Sequence, residues 1–205
     1  MENEITKPLT SEIASSAVST GLRTAGVIAA GSALVAVCSH IALPLGFTPV
    51  PLTLQPFAVL LLGLLLAPRL AAATLGAYLL EGAAGLPVFA PGLVFGAGIA
   101  HLLGPTGGYL MAYPPAAALI AYLWRRSGRG FSVALLSAAA GNAVILLGGF
   151  AWLVVWTHTI GSSGWNGTMK TGFVMAVLPF LPGDALKVVA AAAIAKGIER
   201  VRRSR

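Results

Sequence analysis

Hydrophobic residues along the chain fall into six long runs, separated by short segments rich in proline, glycine or charged residues. Most of these runs approach the roughly 20 residues that a helix needs to cross a bilayer. The sequence has no ten-residue segments of alternating polar and apolar residues, which would be the pattern of a membrane β-barrel. The pattern therefore predicts an all-α integral membrane protein, a bundle of six transmembrane helices with approximate ranges 23–43, 54–67, 70–85, 108–124, 132–156 and 173–198.

The segments between the runs predict an outer cap. Leu45–Thr53 is rich in proline and Thr157–Gly172 is rich in glycine and serine, so both are predicted to be outer loops. Gly85–Gly108 is too broken by glycine for a standard span and too apolar for a solvated loop. Because irregular backbone is not tolerated against lipid, we expect this segment to fold back over the outer side and rest on protein.

The two ends of the chain predict cytoplasmic tails. Residues 1–21 are polar and rich in serine and threonine, without the layout of a signal peptide, and predict a flexible cytoplasmic N-terminal tail. Residues 22–198 form the predicted six-helix transmembrane domain. Residues 199–205 form the predicted basic cytoplasmic C-terminal tail.

Charge is scarce and unevenly placed. Only 9% of the residues are charged and 57% are hydrophobic, whereas a soluble domain has about 25% charged residues. The net charge is +7, but most Lys and Arg residues lie in alternate predicted loops and at the two termini. This is the positive-inside distribution of a multi-pass protein of the cell membrane, with both termini in the cytoplasm. The basicity reflects topology, and we expect no nucleic-acid partner.

Two charged residues interrupt the last apolar run. Asp184 and Lys187 are three residues apart, a spacing that lets them pair on one face of a helix. Each charge would cost about 2.5–3.5 kcal/mol at the centre of a transmembrane helix. Pro179 and Pro182 precede the pair and predict a kink, whose freed backbone groups must face protein or a cavity. The pattern favours a buried polar site over an ion pair that only locks helices together.

Polar residues of other runs lie at a similar predicted depth. Gln55, Glu81 and Asn142 stand about 15–18 Å from the cytoplasmic ends of their helices, and Asp184 and Lys187 about 14–18 Å from theirs. These five side chains predict a pocket for a small ligand with both donors and acceptors, such as a cyclic urea or amide. The aromatic residues expected to supply its apolar walls are Tyr78, Phe89 and Tyr109. Lys170 and the hydroxyl groups of the outer loops could receive a ligand carboxylate nearer the surface.

Several kinds of chemistry find no support in the sequence. A Walker A motif is missing, so the chain cannot hydrolyse ATP by that route. Three scattered histidines and a single cysteine, Cys38, predict neither a metal site nor an internal disulfide. We therefore expect no cofactor and favour binding over catalysis.

Small residues recur at intervals of four on the first predicted helix, at Ala25, Ala29 and Ala33. Such a face lets another helix approach closely. Periodicity alone leaves open whether that helix belongs to this chain or to a partner.

Four motifs together resemble the BioY family, the biotin-binding S-component of energy-coupling factor (ECF) importers. They are Thr-Pro-Val-Pro-Leu-Thr-Leu-Gln (48–55), Glu-Gly-Ala-Ala-Gly-Leu-Pro-Val-Phe (81–89), Gly-Pro-Thr-Gly-Gly-Tyr (104–109) and Pro-Gly-Asp-Ala-Leu-Lys (182–187). The resemblance implies six transmembrane helices and biotin bound from outside beneath the outer loops. It also implies that Asp184 and Lys187 contact biotin.

The resemblance further implies partners. The small-residue face at Ala25, Ala29 and Ala33 would dock the transmembrane T-component, which carries two ATPase subunits. An alternative function is a stand-alone ion-coupled carrier for biotin or another small solute, in which Asp184 or Glu81 takes a proton. An intramembrane enzyme is a third possibility that no sequence feature requires.

Overall fold

A computed structural model describes residues 6–91, 98–159 and 169–204 of the chain. Helices dominate this part of the chain, and a pair of two-residue strands flanks the loop 44–51. In chain order the elements are α1 Thr6–His40, β1 Ala42–Leu43, β2 Leu52–Thr53, α2 Gln55–Leu65, α3 Pro68–Ala83, α4 Ile99–Leu102, α5 Gly107–Arg126, α6 Phe131–Thr159, α7 Met169–Ala176 and α8 Leu181–Arg203.

Helices α2 and α5 lie at the centre of the bundle. Helix α5 packs against α2, α3, α4 and α6, and α2 also packs against α1, α6 and α8. Helix α1 lies on α3 and α2 at the periphery, and α7 lies on α6. This arrangement surrounds the polar N-terminal end of α2 with α5, α6 and α8, and those four helices build the site described below.

Proline positions explain several helix starts. Pro56 and Pro182 stand in the first turn of α2 and α8, and Pro68 opens α3. A proline costs least there, because its missing N–H would have no partner within the helix. Pro179 and Pro182 flank the break between α7 and α8, where the chain bends by 49°. The predicted kink is therefore present, and it places Asp184 in the first turn of a new helix.

Helices α5 and α6 approach each other closely. A Cβ atom on Gly108 would lie 2.1 Å from the Cβ of Trp152 and 2.4 Å from the carbonyl oxygen of Gly148. A Cβ atom on Gly149 would lie 2.2 Å from the ring of Tyr109. Glycine is required at both positions because the neighbouring atoms, part of them backbone, leave no room for a side chain.

The helices include clear candidates for membrane spans. Within the described residues, Ser19–His40 and Phe131–Thr159 are each long and apolar enough to cross a bilayer, and the bent pair α7–α8 would make a third crossing. Helix α2 is apolar but has 11 residues, about 16 Å, which is shorter than a hydrocarbon core of about 30 Å. The structure thus has a mostly helical membrane fold with two to three candidate spans by length and composition.

Some predicted boundaries differ from the structure. Helix α1 begins at Thr6, not at Arg23, because no residue between Pro8 in its first turn and Gly21 breaks a helix. Helix α8 continues to Arg203, past the predicted end at Ile198. The stretches predicted as tails are therefore largely helical.

The outer segments also contain structure that the sequence did not predict. Helix α1 ends at His40, and Ala42 and Leu43, predicted as the end of the first helix, pair antiparallel with Thr53 and Leu52 at the end of the predicted first outer loop. Within the predicted cap, 85–108, the described residues include the short helix α4. The predicted outer loop 157–172 begins and ends in helix, while its residues 160–168, like 92–97 of the cap, lie outside the described residues.

We predict that Gly108→Ala destabilises the bundle by about 1–3 kcal/mol, because the added methyl group overpacks the α5–α6 contact. Thermal unfolding of the detergent-purified protein, followed by circular dichroism, measures the effect. Gly76→Ala is the matched control, since a Cβ at that helical position meets nothing within 4 Å. Equal melting temperatures for the two variants would contradict the close approach of α5 and α6.

Candidate functional site

A cavity opens at the end of the bundle where α2 and α8 begin. Its volume is about 90 Å³, and a single water needs roughly 10–15 Å³ on the same measure. It therefore has room for a small organic molecule. The residues that line it are Pro49, Val50, Pro51, Thr53, Gln55, Pro56, Ala90, Pro91, His101, Pro105, Thr106, Tyr109, Leu110, Tyr113, Ile145, Leu146, Phe180, Asp184 and Lys187.

An ion pair forms the charged part of the wall. The Nζ atom of Lys187 lies 2.9 Å from Oδ1 of Asp184, and the two residues are only 8% and 3% exposed. Asp184 stands in the first turn of α8, where the positive end of the helix dipole favours a carboxylate. The two side chains neutralise each other and still face the cavity, so the pair offers an acceptor and a donor to a ligand.

Asn142 on α6 reaches the same carboxylate from behind. Its Nδ2 atom donates to Oδ2 of Asp184 at 3.2 Å. Its Oδ1 atom is buried and has no hydrogen-bond partner among the described residues. An unpaired buried acceptor costs free energy, which a donor from a ligand or a water would recover. Asn142 therefore orients Asp184 from behind and holds one buried acceptor next to it, but it is not among the described lining residues of the cavity.

Gln55 at the start of α2 is fixed by a chain of hydrogen bonds. Its Nε2 atom donates to the hydroxyl oxygen of Tyr78 at 2.6 Å, and that hydroxyl donates to the carbonyl of Val88 at 2.9 Å. Its Oε1 atom accepts from Tyr113 at 3.4 Å and from Thr53 at 3.3 Å. The donors and acceptors of the amide are thus oriented before any ligand arrives. The sequence did not single out Tyr113 or Thr53, since an aromatic residue and a hydroxyl in apolar segments are ordinarily packing residues.

Tyr109 forms an aromatic wall together with Phe180. Their ring centroids are 6.0 Å apart, and both residues line the cavity. The hydroxyl of Tyr109 donates to the carbonyl of Ala176 at 2.5 Å, which ties α5 to the end of α7. That carbonyl belongs to the broken region before α8, so the tyrosine supplies a partner for backbone near the break.

Two predicted site residues have other neighbours. Glu81 is half-buried on α3 and accepts a hydrogen bond from the hydroxyl of Ser32 on α1, and it is not among the described lining residues. Phe89 is buried behind the wall, where its ring stacks on His101 at 5.0 Å and meets Tyr78 edge-on at 5.5 Å. Phe89 supports a lining residue, whereas Glu81 ties α3 to α1.

The segments predicted as outer loop and cap border the cavity. Pro49, Val50 and Pro51, in the loop between β1 and β2, line it. Thr48 holds this loop in place by donating to the carbonyl of Met175 on α7 at 3.0 Å. His101 lines the same side, and its burial lowers the pKa of the imidazole below the usual 6.5. The described part of the predicted cap therefore rests on protein and contributes to the site.

The remaining predicted residues lie on the protein surface. Ala25, Ala29 and Ala33 are exposed along α1, so the helices of this chain do not cover that face. Lys170 is exposed on α7 and is not among the lining residues of the cavity. The described residues contain no cluster of three or more His, Cys, Asp or Glu side chains that could hold a metal ion.

We predict that His101 makes stability depend on pH. Its pKa is lowered in the folded protein, so the unfolded chain binds a proton more readily, and stability falls as the pH drops below about 6.5. His101→Phe keeps the stacking on Phe89 and removes the titrating group. The fall in melting temperature between about pH 7 and pH 5.5 should therefore be smaller in this variant than in the wild type. His158→Phe, at an exposed histidine, is the control; an unchanged pH profile in His101→Phe would contradict the burial of this imidazole.

Comparison with known proteins assigns the chain to a family. The family model described as BioY matches residues 8–204. The probable biotin transporter BioY of Pyrococcus horikoshii is 42% identical over 167 residues, which cover 82% of this chain and 90% of that protein. The biotin transporter BioY of Thermotoga maritima is 36% identical over 170 residues, covering 83% of this chain and 92% of that protein.

A solved structure supports the same assignment. The crystal structure of the S-component for biotin from an ECF-type ABC transporter matches with a TM-score of 0.76 and 26% sequence identity, covering 89% of this chain and 93% of that chain. The resemblance carried by the four sequence motifs is confirmed, and this chain belongs to the BioY family.

Proposed function

We propose that this protein is the membrane-embedded binding subunit that captures biotin from outside the cell and delivers it to an ATP-driven ECF importer. The observation that carries the proposal is the buried Asp184–Lys187 pair on the wall of the cavity, with Asn142 hydrogen-bonded to the carboxylate from behind. The named relatives are biotin transporters, and the matching solved structure is an S-component for biotin. The protein resides in the cell membrane and acts by binding, not by catalysis.

The chemistry of biotin matches that of the cavity. Its cyclic urea has N–H groups that suit the carboxylate of Asp184 and a carbonyl that suits the ammonium group of Lys187. Its sulfur ring and carbon chain are apolar and suit the walls at Tyr109 and Phe180. Hydrogen bonds that involve a charged partner each contribute about 1.5–3 kcal/mol, so a few of them supply both affinity and specificity.

The carboxylate of biotin then points to the outer side. In this proposal it leaves the cavity towards the loop of Pro49–Pro51 and Thr106, whose hydroxyl group can donate to it. Glu81 and Phe89 act one layer behind the ligand, Phe89 through His101 and Glu81 through the α1–α3 contact.

We further propose six membrane crossings with both termini in the cytoplasm. The crossings are α1, α2, α3, α5, α6 and the bent pair α7–α8, which agrees with the alternation of basic and neutral connecting segments. Short α2 spans only part of the bilayer as a helix, and the strand pair and loop that precede it complete the crossing. The cavity then faces outside, and the Arg125–Arg129 turn faces the cytoplasm.

Delivery requires partners, since the chain has no Walker A motif. The exposed alanines of α1 form a smooth face on which a helix of the T-component can pack closely. Two ATPase subunits bound to the T-component supply the energy. The proposed docking face lies on α1, whereas the cavity is built by α2, α5, α6 and α8, so docking and biotin binding use different surfaces.

We predict that Asp184→Asn weakens biotin binding at least about tenfold, the loss expected when one charged hydrogen bond is removed. Asparagine keeps the shape of the side chain and removes its charge. Equilibrium binding of radiolabelled biotin to detergent-purified protein measures the effect, and the melting temperature reports whether the variant folds. Lys170→Ala is the control at an exposed position outside the cavity; equal losses in the two variants would place the pocket elsewhere.

We predict that Ala29→Trp abolishes assembly with the T-component and leaves biotin binding unchanged. The indole would hold the two helices apart on the small-residue face. Co-purification with tagged T-component and ATPases measures assembly, and radiolabelled biotin reports binding in the same samples. Ala139→Trp is the matched control, because Ala139 is also exposed but lies on α6. If Ala29→Trp loses biotin binding instead, α1 packs inside its own bundle and is not the docking face.

A further inference from the structure

A second cavity lies at the other end of the bundle, where α2, α5 and α8 end. It has a volume of about 150 Å³. Along α8 the rise from Asp184 to Arg202 is about 27 Å, so this cavity is separate from the biotin site. Its lining residues are Leu64, Leu65, Trp124, Arg125, Arg129, Ala195, Ile198, Glu199 and Arg202.

The cavity carries a surplus of positive charge. Glu199 is the acidic residue among the lining residues, and it lies 3.8 Å from a guanidinium nitrogen of Arg129 and 3.6 Å from the ammonium group of Lys196. Arg125 and Arg202 add two further guanidinium groups. Three arginines and one carboxylate therefore line the cavity, with Lys196 beside that carboxylate, and the positive surplus makes the site attractive to an anion.

Two of these arginines have hydrogen-bonding capacity to spare. Arg125 donates through Nε to the carbonyl of Leu66 at 3.3 Å, which fixes the side chain at the end of α2. Its two terminal nitrogens make no hydrogen bond to the described residues. Arg202 is exposed and has no ion-pair partner among the described residues. The planar guanidinium group binds phosphate oxygens in a bidentate way, so the pair is suited to a phosphate.

The rest of the lining is apolar. Leu64, Leu65, Ala195 and Ile198 stand beside the arginines, and Trp124 lies with them. Tryptophan is enriched at the level of lipid headgroups. A free phosphate ion would use only the arginines, whereas a phospholipid uses both parts of the cavity, its phosphate on the charged side and an acyl chain on the apolar side. This end of the bundle carries the basic residues of the α5–α6 turn and of the end of α8, and in the proposed topology it faces the cytoplasm. The cytoplasmic leaflet is the one that holds the anionic lipids.

We propose that this cavity binds the phosphate headgroup of an acidic phospholipid of the cytoplasmic leaflet. Arg125 and Arg202 hold the phosphate, Arg129 and Lys196 hold Glu199 away from it, and the acyl chain follows Leu65 and Ile198. The bound lipid bridges the ends of α2, α5 and α8 and anchors this end of the bundle at the membrane surface.

Native mass spectrometry of the full-length protein, titrated with phosphatidylglycerol in detergent, tests the proposal. The double variant Arg125→Gln/Arg202→Gln should bind phosphatidylglycerol at least about tenfold more weakly than the wild type. Arg126→Gln/Arg200→Gln is the matched control: it also removes two positive charges from the ends of α5 and α8, but both residues are exposed and neither is among the described lining residues of the cavity. Equal binding by the wild type and the double variant, or equal losses in the double variant and the control, would overturn the site.

Two further ligands separate the possible sources of the anion. Phosphatidylcholine carries an anionic phosphate whose charge is balanced by a quaternary ammonium group, so its headgroup has no net charge. It should bind more weakly than phosphatidylglycerol. If inorganic phosphate binds and phosphatidylglycerol does not, the lipid assignment is overturned. Radiolabelled biotin binding should be unchanged in the double variant, which shows that it is folded. Should the double variant fail to fold, Arg202→Gln alone repeats the measurement at a side chain without an ion-pair partner in the described structure.

Discussion

The ion pair between Asp184 and Lys187 is the constraint around which the cavity-bearing half of the bundle is built. Two charges that are removed from water lose hydration energy, and their mutual attraction offsets the loss only when the geometry is good and the remaining hydrogen bonds are made. Here Asn142 satisfies one oxygen of the carboxylate, and the cavity leaves room for a ligand to meet the other groups. A pair that served stability alone would gain from being packed on all sides, whereas this one lines an opening.

The broken helix places that pair. A continuous helix from α7 to α8 would put Asp184 in mid-helix, but the break at Val177–Phe180 makes it a first-turn residue, where the backbone supports a negative charge. Nearby side chains supply partners for the irregular backbone: Tyr109 donates to Ala176, and Thr48 donates to Met175. The same contacts join α5 and the first outer loop to the break. Site geometry and loop closure are thus coupled in one set of hydrogen bonds.

Sequence reasoning predicted the depth of a residue along its helix better than the neighbouring helix that its side chain faces. The spacing of Asp184 and Lys187 and the prolines before them predicted a pair after a kink, and both features are present. Depth along a helix follows from counting residues, which brought Gln55 and Asn142 to the level of the pair. It says nothing about which neighbour a side chain meets, and for that reason Glu81, at the same predicted depth, turns to Ser32 on α1. The short strand pair escaped prediction because its proline-rich loop carries no alternating pattern.

The central claim is that the buried charges of Asp184 and Lys187 bind biotin that enters from outside the cell. A structure of the protein determined with biotin bound tests it most directly. The account predicts the cyclic urea in the outer cavity, with a ring nitrogen about 3 Å from an oxygen of Asp184 and the urea oxygen at a similar distance from Nζ of Lys187. Biotin bound elsewhere, or an Asp184–Lys187 pair sealed from the ligand by packed side chains, would contradict it.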